Sequence, residues 1–335
     1  MINMKINNQQ IITINNQRVI TITLIIALMI ALIFIVSCSK HEIGTDKKQD
    51  EEVNKKITVA ATFYPLYDLT KSIIGDNAVI YSIIPAGVEP HDYEPNPSDI
   101  KKIASSDVFV TMGIEFAEIE ENLLKINPDV KIIPASTGVI LLNTPKENTA
   151  EEEYESTRVK HESTGMDPHI WLSPKNAEIM AANIINGLVD ADPSNAEEYL
   201  KNGDELRNNL NKLDTEFKEA LSSCSKNVVL VNHNAFSYLA KEYGFSTVAI
   251  SGLEPETEPT PKQLAELIEN AEEHQLKYVF YEELVDSRIA DTIAEEVGAK
   301  TLMLNPLEGT TDPNATYISL MRENLNNLKI ALECD

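Results

Sequence analysis

Residues 192–222 read DPSNAEEYLKNGDELRNNLNKLDTEFKEALS and form a continuous helical pattern in the middle of the chain. Apolar side chains recur along it at intervals of three and four, which is one continuous stripe: Ala196, Tyr199, Leu200, Leu206, Leu210, Leu213, Phe217 and Leu221. About thirty residues at ~1.5 Å each make a rod of ~45 Å. A rod of this length predicts a rigid spine that joins two lobes. An ordinary long surface helix of a single domain is the alternative.

Strand-like runs lie on both sides of this segment. They are short and rich in β-branched residues: Ile57–Ala61, Val79–Ile84, Val108–Met112, Lys131–Pro134, Asn227–Val231, Thr247–Ile250, Tyr278–Tyr281 and Thr301–Leu304. Several are apolar throughout, which is typical of strands that are buried on both faces. Capped helical patterns alternate with them; Thr260-Pro261 followed by Gln263 is one such start. The alternation predicts an α/β fold with mainly parallel sheets.

Composition and charge exclude several classes of protein. The chain has 335 residues, of which 43% are hydrophobic, so it can bury a large core and is not disordered as a whole. It carries 53 acidic against 28 basic side chains, a formal net charge of −25. No basic surplus is present to neutralise phosphates, so neither nucleic acid nor an anionic membrane surface is a charge-matched partner. Cations suit this charge better.

The first 37 residues have the pattern of an export signal. Lys5 and Arg18 are the only charges before the apolar run Val19–Val36, which ends in Ser37-Cys38. This pattern resembles a bacterial lipoprotein signal, in which residues 1–37 are removed and Cys38 becomes the lipidated N-terminus. Residues 38–56 then read as a flexible tether. An uncleaved signal anchor is the alternative, and either one places the body outside the cytoplasm, anchored to the outer face of the cell membrane.

Two further cysteines, Cys224 and Cys334, lie in the body of the chain. In an exported protein such a pair can form a disulfide, here closing a long loop. Two free thiols are the other reading, and the sequence leaves both open.

Three of the six histidines occupy distinctive places. His91 lies in PAGVEPHDYEP, His169 in GMDPHIWLSP and His233 in VVLVNHNAF, all in predicted strand-exit loops or helix entries. Open α/β sheets form their ligand sites at such positions. The separations of 78 and 64 residues exclude a zinc finger or an HExxH helix, whose ligands lie a few residues apart. The sequence leaves two alternatives: the three histidines form one shared site, or they are three unrelated side chains.

Several segments together resemble a known family. They are VAATFYPLYDLTKSIIGD, PAGVEPHDYEPNPSDIKKIASSDVFVTMG, DPHIWLSPKNA, VNHNAFSYLAKEYGF, GLEPETEPTPKQL and LNPLEGTT. In this order they resemble the metal-binding solute-binding lipoproteins of bacterial ABC transporters (cluster A-I), and specifically the zinc-uptake branch. The resemblance covers the chain from about Ile57 to Leu332, and PHDYEP and DPHIWL carry most of its specificity.

The resemblance implies a domain organisation. Residues 57–191 would form an N-terminal lobe and residues 223–335 a C-terminal lobe, each with a mainly parallel four-stranded sheet. Residues 192–222 would be the long rigid helix between them, with the metal site in the interlobe cleft. The acidic segment 143–165 stands where zinc-type relatives often carry a histidine-rich loop, but it holds His161 alone. A metal-collecting role for it is therefore in doubt.

The resemblance also implies the metal ligands: His91, His169, His233 and Glu308. Asp312, in the same loop as Glu308, and a water molecule are alternatives for the fourth position. Three neutral imidazoles and one carboxylate suit tetrahedral Zn²⁺, whereas Mn²⁺ prefers oxygen-rich sites with six ligands.

Neighbouring residues are expected to support this site. Asp167 and Glu89 are expected to orient imidazoles from behind. Trp171 is expected to pack near the cleft rather than to take part in the chemistry.

These features predict a zinc-binding protein that captures Zn²⁺ outside the membrane and delivers it to an ABC-transporter permease. The protein is expected to be a lipid-anchored monomer with no nucleic-acid partner and no enzymatic activity. A manganese-binding or adhesin-type homologue is one alternative, and an extracytoplasmic zinc hydrolase is another. The hydrolase has little support, because no GxSxG, HExxH or paired-carboxylate signature is present.

Overall fold

The computed structural model describes residues 56–114, 123–143, 165–253, 255 and 259–335. Residues 56–335 form one compact unit. The predicted signal (1–37), Cys38, nearly all of the tether (38–56) and the interior of the acidic segment 143–165 lie outside the described residues. None of the helices within the described ranges has an apolar stretch long enough to cross a membrane.

The first half of the compact unit contains a parallel four-stranded sheet with the strand order β2-β1-β3-β4. Its strands are β1 (Thr58–Ala61), β2 (Val79–Ser82), β3 (Val108–Thr111) and β4 (Lys131–Pro134). Its helices are α1 (Tyr64–Ile74), α2 (Pro97–Ala104) and α3 (Pro174–Ala191), with 3₁₀ turns at Pro90–Asp92 and Ile170–Leu172. Strand β3 is buried along its whole length, as its apolar sequence predicts.

The second half repeats this architecture with the order β6-β5-β7-β8. Its strands are β5 (Val228–His233), β6 (Ser246–Ser251), β7 (Tyr278–Tyr281) and β8 (Lys300–Met303). Its helices are α5 (Ser237–Tyr243), α6 (Pro261–Glu273), α7 (Arg288–Val297) and α8 (Tyr317–Ala331). Thr260 and Gln263 form the predicted capping box at the start of α6. The α/β class with two parallel four-stranded sheets is thus confirmed.

A 25-residue helix, α4 (Ala196–Ala220), connects the two sheets along the chain. It is shorter at both ends than the predicted 192–222, because residues Pro193–Asn195 form a separate 3₁₀ turn. The carboxylate of Asp192 anchors this turn by accepting hydrogen bonds from Asn195 and Tyr199, both at 2.7 Å. Helix α4 packs on α1 and α3 of the first half and on α8 of the second. It therefore contacts both halves through one buried stripe.

Two predicted strand ends near His233 and His91 need correction. Strand β5 runs from Val228 to His233, so His233 is the last residue of the strand and does not lie two residues beyond it. Its pairing with β6 continues to Ser251 and extends the strand past the apolar run. Strand β2 ends at Ser82 and not at Ile84, which leaves a longer loop before His91.

Cys224 and Cys334 are joined by a disulfide in the structure. Cys224 follows α4 and Cys334 follows α8, and the two residues also form an isolated antiparallel bridge. The sequence left open whether these cysteines form a disulfide or stay as free thiols, and the structure contains the disulfide. The bond ties the end of the long helix to the end of the chain.

Leu210 and Leu200 provide a test of the buried stripe on α4, since the first is fully buried and the second is 49% exposed. Leu210→Ala should lower the free energy of unfolding by about 2–5 kcal/mol, because it leaves a cavity in the core. Leu200→Ala, on the same helix, should change it by less than about 1 kcal/mol. Urea denaturation measures both values. Equal losses in the free energy of unfolding of the two variants would contradict the packing of α4.

Candidate metal centre

The first half of the unit supplies two imidazoles. His91 lies in the 3₁₀ turn Pro90–Asp92, whose preceding residue Glu89 accepts a hydrogen bond from the His91 amide. The His91 side chain is 16% exposed. His169 directly precedes the 3₁₀ turn that leads into α3, where Ser173 caps the helix, and its side chain is fully buried.

The second half supplies an imidazole and a carboxylate. His233 ends strand β5, at the carboxyl edge of the second sheet, and is fully buried. Glu308 lies in the loop between β8 and α8, and its side chain is 1% exposed. Parallel strands present their carboxyl ends at one edge of a sheet, where open α/β folds bind ligands. Each half therefore contributes two of the four side chains.

The four side chains converge on one point. One potential ligand atom from each of them lies within 4.8 Å of all the others. The Nε2 atoms of His91 and His169 are 3.3 Å apart, and each lies 3.2 Å from Oε1 of Glu308. The Nε2 atom of His233 lies 3.3 Å from that of His169 and 3.5 Å from the same oxygen. In a tetrahedral Zn²⁺ site with bonds of about 2.0–2.1 Å, neighbouring ligand atoms are about 3.3 Å apart. The spacing fits such an ion.

Carboxylates behind the two buried imidazoles fix their orientation. Nδ1 of His169 lies 2.8 Å from Asp167, and Nδ1 of His233 lies 2.7 Å from Glu282. Each carboxylate also accepts a hydrogen bond from the backbone N–H of the histidine that it contacts. A proton held on Nδ1 by a carboxylate leaves the Nε2 lone pair free to bind a metal. These contacts therefore hold His169 and His233 with Nε2 turned towards the point where the four side chains converge.

The electrostatics of the cluster favour positive charge on His169 and His233 beside an ionised Glu308. Burial by itself would raise the pKa of Glu308, but the charge of His233 and the hydrogen bonds of the imidazoles outweigh it and hold that pKa well below its usual range. Burial likewise opposes charge on His169 and His233, yet their carboxylate partners raise the pKa of both. A divalent cation would replace these protons as the counter-charge of the carboxylates.

Glu89, expected to orient an imidazole, contacts the His91 amide instead of a ring nitrogen. Burial, followed by the charge of Glu308, raises the pKa of Glu89 to about 7. Asp312, the alternative fourth ligand, does not join the cluster; its carboxylate accepts the Asn314 amide in a turn. Asp167 does lie behind an imidazole, as expected.

Two contributions to the site were missed or understated by the sequence analysis. Glu282 was not singled out, although two consecutive glutamates directly after a buried strand were a usable signal. Trp171 does pack near the site, with its ring 5.1 Å from that of His169. Its indole N–H also donates to the carbonyl of Pro306, two residues before Glu308, at 2.7 Å. Trp171 thus links the loops of two ligands.

Comparison with known proteins identifies the family of this chain. The family model described as "ZnuA: Zinc-uptake complex component A periplasmic" matches residues 59–331. The chain belongs to this zinc-uptake family. Members of the family are metal-binding components of transport systems and not a class of enzymes.

Relatives in the family carry zinc in their names. The chain is 39% identical over 316 residues to the "High-affinity zinc uptake system protein ZnuA" of Bacillus subtilis, covering 92% of this chain and 96% of that protein. It is 35% identical to the "Zinc-binding lipoprotein AdcA" of Streptococcus pneumoniae, covering 91% of this chain. It spans 60% of the length of AdcA.

Solved structures of similar proteins confirm the fold. The Zn(II)-bound ZnuA-like domain of Streptococcus pneumoniae AdcA matches with a TM-score of 0.70 and 34% identity, over 83% of this chain and 99% of that one. The laminin-binding protein of Streptococcus agalactiae, described as having adhesin and metal-transporting activity, matches with a TM-score of 0.73 and 31% identity, over 83% and 99%.

The raised pKa values of His169 and His233 predict a pH dependence of zinc binding. Apparent affinity should fall as the pH is lowered from about 8 to about 6, because a protonated imidazole cannot bind a metal. The fall should begin above the usual imidazole value of 6.5, since both pKa values are raised. Competition against a chelator measures the affinity, and calorimetry in two buffers counts the protons released. Binding at pH 7 without proton release would contradict this account.

Proposed function

We propose that this chain captures Zn²⁺ outside the cytoplasm and delivers it to the membrane permease of an ABC transporter. The observation that carries the proposal is the group of three imidazole nitrogens and one carboxylate oxygen at tetrahedral spacing. The assigned ligands are His91, His169, His233 and Glu308. Membership of a family described as zinc-uptake components supports the cargo and the transport role.

The donor set favours zinc over manganese. Three of the four donors are imidazole nitrogens, which suit Zn²⁺, whereas Mn²⁺ is better matched by carboxylate, carbonyl and water oxygens. Zn²⁺ has no geometric preference from its d electrons and accepts four ligands without penalty. The manganese alternative would be better supported if a carboxylate stood in place of His233.

Four protein ligands also favour binding over catalysis. A catalytic zinc keeps one coordination position open for water, and a hydrolase adds a general base. Here His169, His233 and Glu308 are almost fully buried, and the fourth ligand completes the tetrahedron. Cargo that is to be handed on needs a closed but reversible site, and this arrangement suits it.

The exposure of the ligands supports a route for capture and release. Among the four, His91 has the most exposed side chain, at 16%, and its 3₁₀ turn lies at the surface end of the site. Zn²⁺ would enter and leave past this imidazole. Because each half supplies two ligands, a bound ion would cross-link the halves, and its loss would let them relax. A permease could then distinguish the loaded from the empty form.

The proposal includes the predicted setting of the protein. Residues 1–37 would direct export, and Cys38 would carry the lipid that holds the chain, as a monomer, at the outer face of the membrane. The lobes 57–191 and 223–335 would close on the ion, with 192–222 as the spine. The name "Zinc-binding lipoprotein" of a 35% identical relative supports the anchor. Adhesion, described for the Streptococcus agalactiae structure, has no separate support among this chain's described residues.

Single replacement of His91, His169 or His233 by Ala should weaken zinc binding by more than about 100-fold, since loss of a ligand should exceed the 10–100-fold effect of an outer partner. His274, at the C-terminal end of α6, provides a matched control, and His274→Ala should leave zinc affinity unchanged. Competitive titration of Zn²⁺ against Mn²⁺ on the unchanged chain should favour Zn²⁺. Unchanged affinity in two of the three variants, or a preference for Mn²⁺, would refute the proposal.

A further inference from the structure

Glu308 differs from the buried imidazoles in how its side chain is oriented. Asp167 and Glu282 fix His169 and His233 through direct hydrogen bonds. Oε1 of Glu308 faces the imidazoles, but its buried Oε2 has no hydrogen-bond partner among the described residues. Within the described ranges, no carboxylate or amide side chain therefore forms a hydrogen bond with Oε2 of Glu308. Apart from the imidazoles that it faces, the direction of this carboxylate is set by the backbone that carries it.

The backbone before Glu308 has an uncommon conformation. Leu307 has a φ of +58°, in the left-handed region that branched L-residues rarely adopt. Its side chain is fully buried. Such a conformation persists only where the surrounding contacts hold it. One contact is direct, because the Leu307 amide donates to Oδ1 of Asn305 at 2.7 Å.

Asn305 is itself held firmly from two sides. It is 2% exposed, and its backbone N–H and C=O pair with the side-chain amide of Asn324 on α8, at 2.8 and 2.6 Å. Its Nδ2 donates to Oε2 of Glu283, which follows β7, at 2.8 Å. The other oxygen of Glu283 accepts the Thr311 amide, also at 2.8 Å. These hydrogen bonds thus hold the chain at Asn305, before Glu308, and at Thr311, after it.

We propose that Asn305 is a positioning residue for zinc binding, which acts by holding the left-handed turn at Leu307 and so aiming the Glu308 carboxylate at the three imidazoles. The inference rests on the proposed function, since it concerns the fourth ligand of the same ion. A carboxylate that is aimed before the ion arrives needs no reorganisation on binding, and this raises affinity. Asn305 does not touch the ion, so its effect has to pass through Glu308.

A double-mutant cycle on the full chain tests this dependence. Asn305→Ala should weaken zinc binding by about 10–100-fold, the range typical of residues that orient ligands. In a chain that already carries Glu308→Ala, the same substitution should change affinity by about twofold or less, because the ligand it positions is gone. Competition against a chelator measures all four affinities. A similar loss in both backgrounds would overturn the proposal.

Matched variants separate positioning from general damage. Asn326→Ala, an exposed asparagine on α8, should not change zinc affinity. Asn305→Asp keeps the acceptor for the Leu307 amide but places a carboxylate against Glu283, and it should weaken binding. Adding Glu283→Gln gives that carboxylate an amide donor again and should restore most of the affinity. If Asn305→Ala fails to fold, the comparison of Asn305→Asp with and without Glu283→Gln tests the proposal instead. Zinc affinity that Glu283→Gln does not restore would overturn it.

The outcomes distinguish this inference from the proposed function. Failure of the unchanged chain to bind Zn²⁺ would overturn both. Zinc binding that is weakened by Glu308→Ala but unchanged by Asn305→Ala would overturn the inference alone. The cobalt(II) complex gives an independent spectroscopic readout. Asn305→Ala should reduce its four-coordinate visible absorption, whereas Asn326→Ala should preserve it.

Discussion

The buried carboxylate of Glu308 faces the imidazoles of His91, His169 and His233, and the rest of the fold brings these four groups together. Burial opposes charge on His169 and His233, but Asp167 beside the first, Glu282 beside the second and Glu308 beside both raise their pKa values, and the imidazoles in turn hold the pKa of Glu308 low. Burial of an uncompensated charge is costly. A doubly charged ion satisfies the same groups and releases their protons.

The two halves are arranged so that this convergence depends on both. The two sheets have equivalent strand orders, and His233 ends a strand while His91 and Glu308 lie in loops that follow strands. Helix α4 packs against both halves, and contacts of Trp171 and Tyr317 link the ligand loops. Trp171 donates to Pro306 before Glu308, while the Tyr317 hydroxyl donates to the Trp171 carbonyl and the Tyr317 amide to Asp68 of α1. The protein therefore sets ligand positions through its backbone as well as through side chains.

Much of this architecture could be predicted from local sequence. Apolar runs and capped starts indicated the strands and helices, and the stripe from Ala196 to Leu221 indicated the long helix. The histidines could be placed at sheet edges because strand exits are visible in the pattern. Their selection as ligands, and that of Glu308, came from the family resemblance, since residues so distant in sequence show no local spacing.

The parts that were missed depend on tertiary contacts. Glu282 reaches His233 across neighbouring strands, and no periodicity reveals which of two adjacent glutamates points inwards. The left-handed turn at Leu307 contradicts the residue's intrinsic preference and is held by Asn305 from within the same loop. Asp312 was the alternative to Glu308 from the sequence, but the turn directs its carboxylate to a backbone amide. Positions that violate local rules are expected to concentrate at functional sites.

One ion is expected to take all four groups as its ligands. X-ray absorption spectroscopy at the zinc edge of the loaded protein tests it most directly, because it counts donors and measures their distances. We expect four nitrogen or oxygen donors at about 2.0–2.1 Å, with the outer-shell scattering of three imidazole rings. A five- or six-coordinate ion, or scattering from fewer than three imidazoles, would contradict it.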